Sequence, residues 1–302
     1  MTTSANPQPF ELRLRVLSDV AGGLVILLAG LSVLGWAAGA PILIRLLPSV
    51  VVMNPLTAVM MILAGVTMWL RVHRAGSARA RRLAFLLAGI VAVIGALKLA
   101  DYAIGFPFHV DQLLFQSRLP LYARFRGSEM APNTAVCLLF IGLALLCLRT
   151  AEPKGFCPTQ ALVLAASLIV LLALVGYTYR VLVLNRLGMS KPMSLESALA
   201  FALLCFGLLA AQPTRGFMLT ITNRTSGGAM ARRLLPMALL VPLLLGLFLL
   251  AGEKAGFYRE ELAISIFAVA NILIFTSLIW WNAKLLYRAD LERVRTERRL
   301  AA

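Results

Sequence analysis

Charged side chains are scarce in this chain. They make up 14% of its 302 residues, whereas soluble domains carry about 25%. Acidic residues are scarcest, with 13 Asp and Glu against 29 Lys and Arg, so the formal net charge is +16. Hydrophobic residues reach 60%, and the mean hydropathy is +0.86. This composition indicates an integral membrane protein built of helices, because lipid offers the backbone no hydrogen-bond partners.

Residues that carry catalysis or bind metals are also few. The four cysteines have no CxxC spacing, and the only histidines are His73 and His109. The sequence contains no phosphate-binding glycine loop, HExxH, GxSxG or kinase ATP-site motif. We therefore expect no catalytic residue, no metal site and no cofactor in this chain, and any catalytic output domain to lie beyond residue 302 or on another polypeptide.

The long apolar runs predict an all-α bundle of eight transmembrane helices. A helix needs about 20 apolar residues to cross the hydrocarbon layer. We interpret the bundle as three weakly repeated hairpins followed by a fourth, transmitting hairpin. The predicted spans are 17–38, 54–71, 83–104, 131–149, 158–179, 195–212, 234–252 and 261–283.

A methionine-led motif introduces the second, fourth and sixth spans. Its copies are Met53-Asn-Pro-Leu-Thr-Ala58, Met130-Ala-Pro-Asn-Thr-Ala135 and the looser Met193-Ser-Leu-Glu-Ser-Ala198. Proline suits the first turn of a helix, and Asn, Ser or Thr nearby satisfies free backbone N–H groups. The motif therefore predicts an internal duplication. Its structural residues are Met53, Pro55, Thr57, Met130, Pro132, Thr134, Met193 and Ser197.

The distribution of Lys and Arg predicts the orientation. Most of them fall on the side that holds residues 1–16 and 284–302, and cytoplasmic loops carry such an excess. We expect a multi-pass protein of the bacterial inner membrane with both termini cytoplasmic. The domains are then a cytoplasmic segment 1–16, a membrane domain 17–283 and a cytoplasmic linker helix 284–302. Anionic lipid accounts for the basic charge, so we expect the lipid bilayer as a partner and no nucleic acid.

The C-terminal segment keeps a helical pattern while it becomes charged. Tyr287, Leu291, Val294, Arg298 and Ala301 recur at alternating spacings of four and three, which is typical of a coiled-coil seam. This pattern predicts a homodimer through the C-terminal helix. The alternative is a basic helix lying on anionic lipid.

Several segments together resemble a known kind of module. They are the three motif copies, Arg232-Arg-Leu-Leu-Pro236, Gly252-Glu-Lys-Ala-Gly-Phe-Tyr258 and Trp280-Trp-Asn-Ala283. They look like the N-terminal multi-helix membrane sensor modules of bacterial sensor histidine kinases and diguanylate cyclases of the PAS- or GGDEF-linked type. The resemblance implies signal input, as in two-component systems, and a cytoplasmic kinase or cyclase output domain as partner. It implies no particular ligand. Because the chain stops in the linker helix, we expect either a truncated protein or a separate output polypeptide.

Charged residues inside a predicted span need partners, because charge is costly in lipid. Lys98 and Asp101 are three residues apart on one helical face and can pair. The predicted topology places them near the outer ends of the motif helices, beneath loops that also carry Asp111. We therefore consider a ligand site there, and a purely structural ion pair as the alternative. The candidate ligand-binding residues are Lys98, Asp101, Tyr102, Arg124, Glu129 and Tyr258.

Two further polar residues fall within predicted spans. We expect Asp19 to be neutralised by Arg15 or by the lipid interface, and Asn271 to form an interhelical hydrogen bond.

Two other functions stay open beside the sensor. Internal repeats are typical of transporters of small molecules or lipids, although we expect no central Gly or Pro interruption in these spans. A structural membrane anchor for a partner protein is the third interpretation, and it predicts no outer pocket.

Overall fold

The computed structural model describes residues 9–44, 51–74, 76–105, 109–116, 129–148, 157–179, 192–223 and 225–300. The α-helix accounts for 84% of these residues, and no strand occurs among them, which confirms the all-α prediction. The chain divides into two compact units, Met1–Met218 and Leu219–Ala302.

In its described residues, the first unit contains six long helices and short connecting elements. A 3-10 turn at Val110–Gln112 lies between α4 and α5, and α8 begins at the end of this unit. The helices are α1 (Pro9–Ala38), α2 (Pro41–Ile44), α3 (Pro55–His73), α4 (Ala78–Ile104), α5 (Pro132–Leu146), α6 (Pro158–Thr178), α7 (Leu195–Ala210) and α8 (Gly216–Thr222). The second unit contains α9 (Ser226–Lys254) and α10 (Glu260–Leu300).

The six long helices of the first unit form a closed ring. Each contacts the helix before it and the helix after it, and α7 returns to α1. The three motif-bearing helices α3, α5 and α7 also contact one another, so they lie at the centre, with α1, α4 and α6 outside them. Burial agrees with this arrangement, because 56% of the most apolar stretch of α3 is buried, against 33% in α4 and 28% in α6.

Glycines allow α4 and α5 to approach closely. A Cβ atom on Gly142 would lie 2.5 Å from the backbone nitrogen of Ala92, and one on Gly95 would lie 2.6 Å from that of Leu139. Real Cβ atoms do not come so near to a backbone, so both positions exclude any side chain. Such small-residue contacts are typical of helix packing in membranes, where dispersion replaces the hydrophobic effect.

Within the described part of the chain, six helices are long and apolar enough to cross a membrane, which indicates a multi-pass membrane protein. They overlap the first, second, third, fifth, seventh and eighth predicted spans. The helices at the fourth and sixth predicted spans, α5 and α7, are apolar but shorter, with 15 and 16 residues. The count of eight spans therefore stays a prediction.

The two long helices of the second unit are much less buried than the helices of the first unit. Only 6% of the most apolar stretch of α9, and of α10, is buried. Pro236 and Pro242 lie inside α9, and Pro242 is near the middle of the predicted span 234–252, where we expected no central Gly or Pro interruption. The helix continues through both prolines. The amide of Asn271 donates to the carbonyl of Phe267 at 2.8 Å, within α10, rather than to another helix as expected.

Replacing Gly142 with Ala tests the close packing of α4 on α5. Because the new methyl group would overlap the Ala92 backbone, we expect the free energy of unfolding to fall by about 1–3 kcal/mol. Thermal and denaturant unfolding of the purified protein in detergent measure the change. The matched control is Gly89→Ala, since a Cβ atom there meets nothing within 4 Å. The control should be neutral or stabilise by up to about 1 kcal/mol; equal losses in both variants would contradict this packing.

Candidate functional site

The three copies of the motif start their helices in the same way. The residue after each methionine is the N-cap and has an extended backbone, and the helix begins at the next residue. In the first copy Asn54 Oδ1 accepts hydrogen bonds from the backbone N–H groups of Leu56 at 2.9 Å and Thr57 at 3.3 Å. In the third copy Ser194 Oγ accepts from the Ser197 N–H at 3.1 Å.

The second copy uses a different side chain for this purpose. Its N-cap, Ala131, has no side chain that can accept a hydrogen bond, and Asn133 Oδ1 accepts from the Thr134 N–H at 3.0 Å. The position three residues into each helix holds a small hydroxyl side chain that is almost fully buried. These residues are Thr57, Thr134 and Ser197. We call the end of the first unit where α3, α5 and α7 begin the motif end.

An aromatic side chain donates a hydrogen bond to the carbonyl of each motif methionine. Trp36 Nε1 donates to Met53 at 3.0 Å, Tyr102 Oη to Met130 at 2.6 Å, and Tyr177 Oη to Met193 at 2.6 Å. Each donor lies near the C-terminal end of the outer helix that precedes the motif. Tyr102 was a candidate site residue, but sequence reasoning did not select Trp36 or Tyr177. The sequence feature that could have revealed them is a Trp or Tyr, each with a polar hydrogen-bond donor, near the end of each outer helix.

Lys98 forms the centre of a charged network at the motif end. Its Nζ donates to Asp101 Oδ2 at 2.7 Å, which confirms the predicted pair, and also to Asp111 Oδ1 at 3.0 Å. The side chains of Lys98 and Asp111 are only 3% and 0% exposed. The ammonium also lies 4.8 Å from the centre of the Tyr102 ring, within the range of a cation–π interaction.

Asp111 joins three segments that are distant in sequence. Its side-chain Oδ2 accepts from the Met130 N–H at 2.7 Å, and its backbone carbonyl accepts from Asn54 Nδ2 at 3.0 Å. The 3-10 turn thereby connects α4, through Lys98, with the starts of α3 and α5. Sequence reasoning placed Asp111 in an outer loop without recognising it as the second partner of Lys98. The sequence feature that could have revealed this partner is an isolated carboxylate close in sequence to an intramembrane lysine.

The remaining candidate residues have separate positions. Glu129 is half-buried and directly precedes Met130, while Arg124 lies outside the described residues. Tyr258 belongs to the second unit, where its hydroxyl donates to the carbonyl of Leu249 at 2.8 Å and its ring lies against Gly252. Like Asp111, Glu196 is a buried acidic residue outside the candidate list; it belongs to the third motif copy and is 2% exposed.

Asp19 lies beside a different residue from the one expected. Its Oδ2 is 3.3 Å from Nε2 of His73, so the expected pairing of Asp19 with Arg15 is replaced by one with His73.

The network is chemically suited to coupling rather than to catalysis. It contains one cation and two carboxylates, with every charged group in hydrogen-bond contact with another. In a buried setting such a set is stable only when it is complete, because a charge left without a partner is very costly. Within the described residues no three His, Cys, Asp or Glu side chains are grouped closely enough to hold a metal ion.

Removing single members of the network should destabilise the protein in a fixed order. Lys98→Met leaves two buried carboxylates without a cation, so we expect a loss of about 3–5 kcal/mol. Asp111→Asn and Asp101→Asn each leave one balanced pair and should cost less, with Asp101, at the more exposed position, costing least. Unfolding in detergent measures the three values. Lys254→Met, at an exposed lysine of the second unit, is the control, and a loss there as large as for Lys98 would rule out the network as the cause.

Comparison with known proteins adds no family assignment. No protein-family model, no curated protein and no solved structure matches this chain. The interpretation of the motif end therefore depends on its own geometry, and the resemblance to bacterial sensor modules stays an expectation.

Proposed function

We propose that this chain is a membrane-embedded sensory input module. The motif end receives the signal, and the last helix passes it to a cytoplasmic output domain or partner, of the kinase or cyclase type that the resemblance implies. The observation that carries this proposal is the continuity of α10, which runs for 41 residues from Glu260 to Leu300.

A continuous helix can transmit motion from a membrane to the water beyond it. The apolar part of α10, Glu261–Lys284, is long enough to span the bilayer. The whole helix rises about 60 Å at 1.5 Å per residue, about twice the hydrocarbon thickness. The heptad spacing of its charged end supports a homodimer through this segment. A rigid helix conveys a shift or rotation that a flexible linker would absorb.

The network around Lys98 supports the motif end as the place of input. Through Asp111 it holds the 3-10 turn Val110–Gln112 against the starts of two central helices. A stimulus that moves this segment must break or rearrange buried charged contacts. Such contacts have a small number of discrete arrangements, which is the property a two-state switch requires.

The topology belongs to the same proposal. We infer eight spans in the bacterial inner membrane, with both termini in the cytoplasm and three related hairpins before the transmitting pair. Three observations support it: the shared N-cap position of the motif copies, the aromatic bond to each motif methionine, and the central location of α5 and α7 beside α3.

A reporter fused after residue 302 tests the topology. With both termini inside, a cytoplasmic reporter such as a fluorescent protein should be active there, and a reporter that works only in the periplasm should be inactive. Fusions at residue 116, in the segment that follows α4, should give the opposite result. Periplasmic activity at residue 302 would contradict the proposed orientation.

Insertions into α10 test the transmission of the signal. A histidine kinase or cyclase domain is joined after residue 302, and one to seven helix-forming residues are inserted after Arg288. Output should vary with insertion length and return most nearly to its starting value at a full heptad, since seven residues restore the seam. Enzymatic output and the oligomeric state are measured for each length.

The control insertions have the same lengths but consist of Gly and Pro. Because they interrupt the helix, they should abolish the dependence on heptad phase. Output that ignores length in the helix-forming series would mean that the tail is only a tether, and the anchor interpretation would then be favoured.

A transporter is the second candidate, and one observation favours it. Pro236 and Pro242 inside α9 are the kind of residue found in the discontinuous helices of transporters. The helix is nevertheless unbroken at both prolines, and the charged network lies at a bundle end rather than at mid-depth. Uptake of candidate solutes into reconstituted vesicles separates the two functions, because a sensor predicts no uptake above that of empty vesicles.

A further inference from the structure

Helix α8 is a short element that crosses the boundary between the two units. It runs from Gly216 to Thr222, and the boundary falls between Met218 and Leu219. With 7 residues, it is shorter than the roughly 12–15 residues that an isolated helix needs to be stable in water. The stability of α8 therefore depends on contacts with neighbouring elements.

One buried amide holds the first turn of α8. This amide belongs to Gln160, which lies near the start of α6 and is 3% exposed. Its Oε1 accepts hydrogen bonds from the backbone N–H groups of Phe217 at 2.7 Å and Met218 at 3.4 Å. N–H groups in the first turn of a helix have no acceptor within that helix. Gln160 therefore caps α8 from a different helix.

The same amide closes the turn that leads into α8. Its Nε2 donates to the backbone carbonyls of Arg215 at 3.0 Å and Gln212 at 3.4 Å. Gly216 lies between these contacts with a φ of +42°, and a Cβ atom there would be 2.5 Å from Gln160 Oε1. Glycine alone combines this backbone conformation with so close an approach. The turn and the start of α8 thus depend on a single side chain.

A side chain of the second unit holds the other end of α8. Arg232, in α9, donates through Nη1 to the carbonyl of Ile221 and, at 3.0 Å, to that of Asn223. Carbonyls at the C-terminal end of a helix lack donors within it, and arginine often supplies them. The start of α9 also lies close by, since a Cβ atom on Gly228 would be 2.1 Å from the carbonyl oxygen of Asn223.

Each contact by itself has an ordinary structural explanation. A buried amide must be satisfied, and the last carbonyls of a helix commonly bind arginine. These explanations do not account for the combination on one short helix, whose first turn is held by the first unit and whose last turn is held by the second. Helix formation is cooperative, and a helix of about two turns has no stable part. Loosening one end of α8 must therefore loosen the other.

We propose that α8 is a coupling element, which passes a movement of the first unit to the start of α9. The turn at residues 212–215 directly follows α7, one of the motif-bearing helices, and α9 directly precedes α10. Because both ends of α8 are held, a movement of the turn is conveyed along the helix, whereas a flexible connection would absorb it. The role of α8 in signalling rests on the proposed sensory function, but the coupling of its two ends does not.

Hydrogen exchange, resolved to single amides, tests the coupling in the full chain in detergent. Gln160→Met puts an apolar side chain of similar length in place of the amide, so it removes four hydrogen bonds and largely preserves the packing. We expect roughly tenfold faster exchange at residues 217 and 218, which lose their acceptor. The same acceleration should reach residues 220–223 and Ala229, whose N–H donates to the carbonyl of Thr225 at the start of α9.

The reciprocal variant is Arg232→Gln, which should speed exchange at residues 217 and 218 as well as at 220–223. Because Arg232 is exposed, this variant should fold even if Gln160→Met does not, and its effect at 217 and 218 then decides the result. Thr178→Val is the matched control, since it removes a side-chain hydrogen bond, to the carbonyl of Leu174, at the far end of α6. The control should leave α8 unchanged.

The coupling would be overturned if each variant affected only its own end of α8, or if Thr178→Val had the same effect as Gln160→Met. Circular dichroism, together with exchange in α3 and α5, shows whether each variant is otherwise folded. Faster exchange at both ends of α8, with α3 and α5 unchanged, supports the proposal.

Output from a kinase or cyclase domain fused after residue 302 separates the coupling from the proposed function. Asp101→Asn, the mildest change in the charged network, should alter output, and this effect should be lost in combination with Gln160→Met. An effect that persists unchanged in the combined variant would mean that the signal does not pass through α8. If Asp101→Asn has no effect in either background, the proposed function fails, and the exchange result still decides the coupling.

Discussion

The backbone at the start of each central helix must find its hydrogen-bond partners within the protein, because neither lipid nor a packed bundle supplies water. The rest of the first unit depends on how this requirement is met. Side chains of the motif satisfy free N–H groups, and Trp36, Tyr102 and Tyr177 satisfy the methionine carbonyls just before the helices. Each aromatic bond also connects an outer helix to the start of its central neighbour. Meeting a local need of the backbone thereby fixes how the helices are paired.

The charged network extends the same solution to a third segment. Asp111 satisfies the Met130 N–H, and Lys98, which also pairs with Asp101, supplies the positive charge that allows the Asp111 carboxylate to be buried. Buried ion pairs contribute little net stability on average, yet breaking one is costly. The network therefore defines one arrangement of α4, α5 and the intervening turn rather than adding much to their stability. A signal that acts here changes an arrangement, which a sensor can use.

Local features of this fold were predictable from the sequence, and arrangements in space were not. Apolar length predicted the helices, the motif predicted where α3, α5 and α7 begin, and a spacing of three predicted the pair of Lys98 with Asp101. The partner Asp111 is separated from Lys98 by a turn whose path no periodicity describes. Pro236 and Pro242 show that an internal proline does not by itself end a membrane helix, because nearby groups can compensate for the lost hydrogen bond.

The contrast in burial between the two units has a physical consequence for signalling. In the first unit the central helices are covered by protein, and the glycine contacts of α4 with α5 leave little freedom to move. In α9 and α10 only 6% of the most apolar stretch is buried, so apolar neighbours such as lipid tails can lie against most of it. Exchanging one such apolar neighbour for another changes little free energy, because lipid tails and side chains are similarly apolar. Under the proposed sensory function, a small stimulus therefore shifts α10 at little cost in free energy, and the long helix carries that shift out of the membrane.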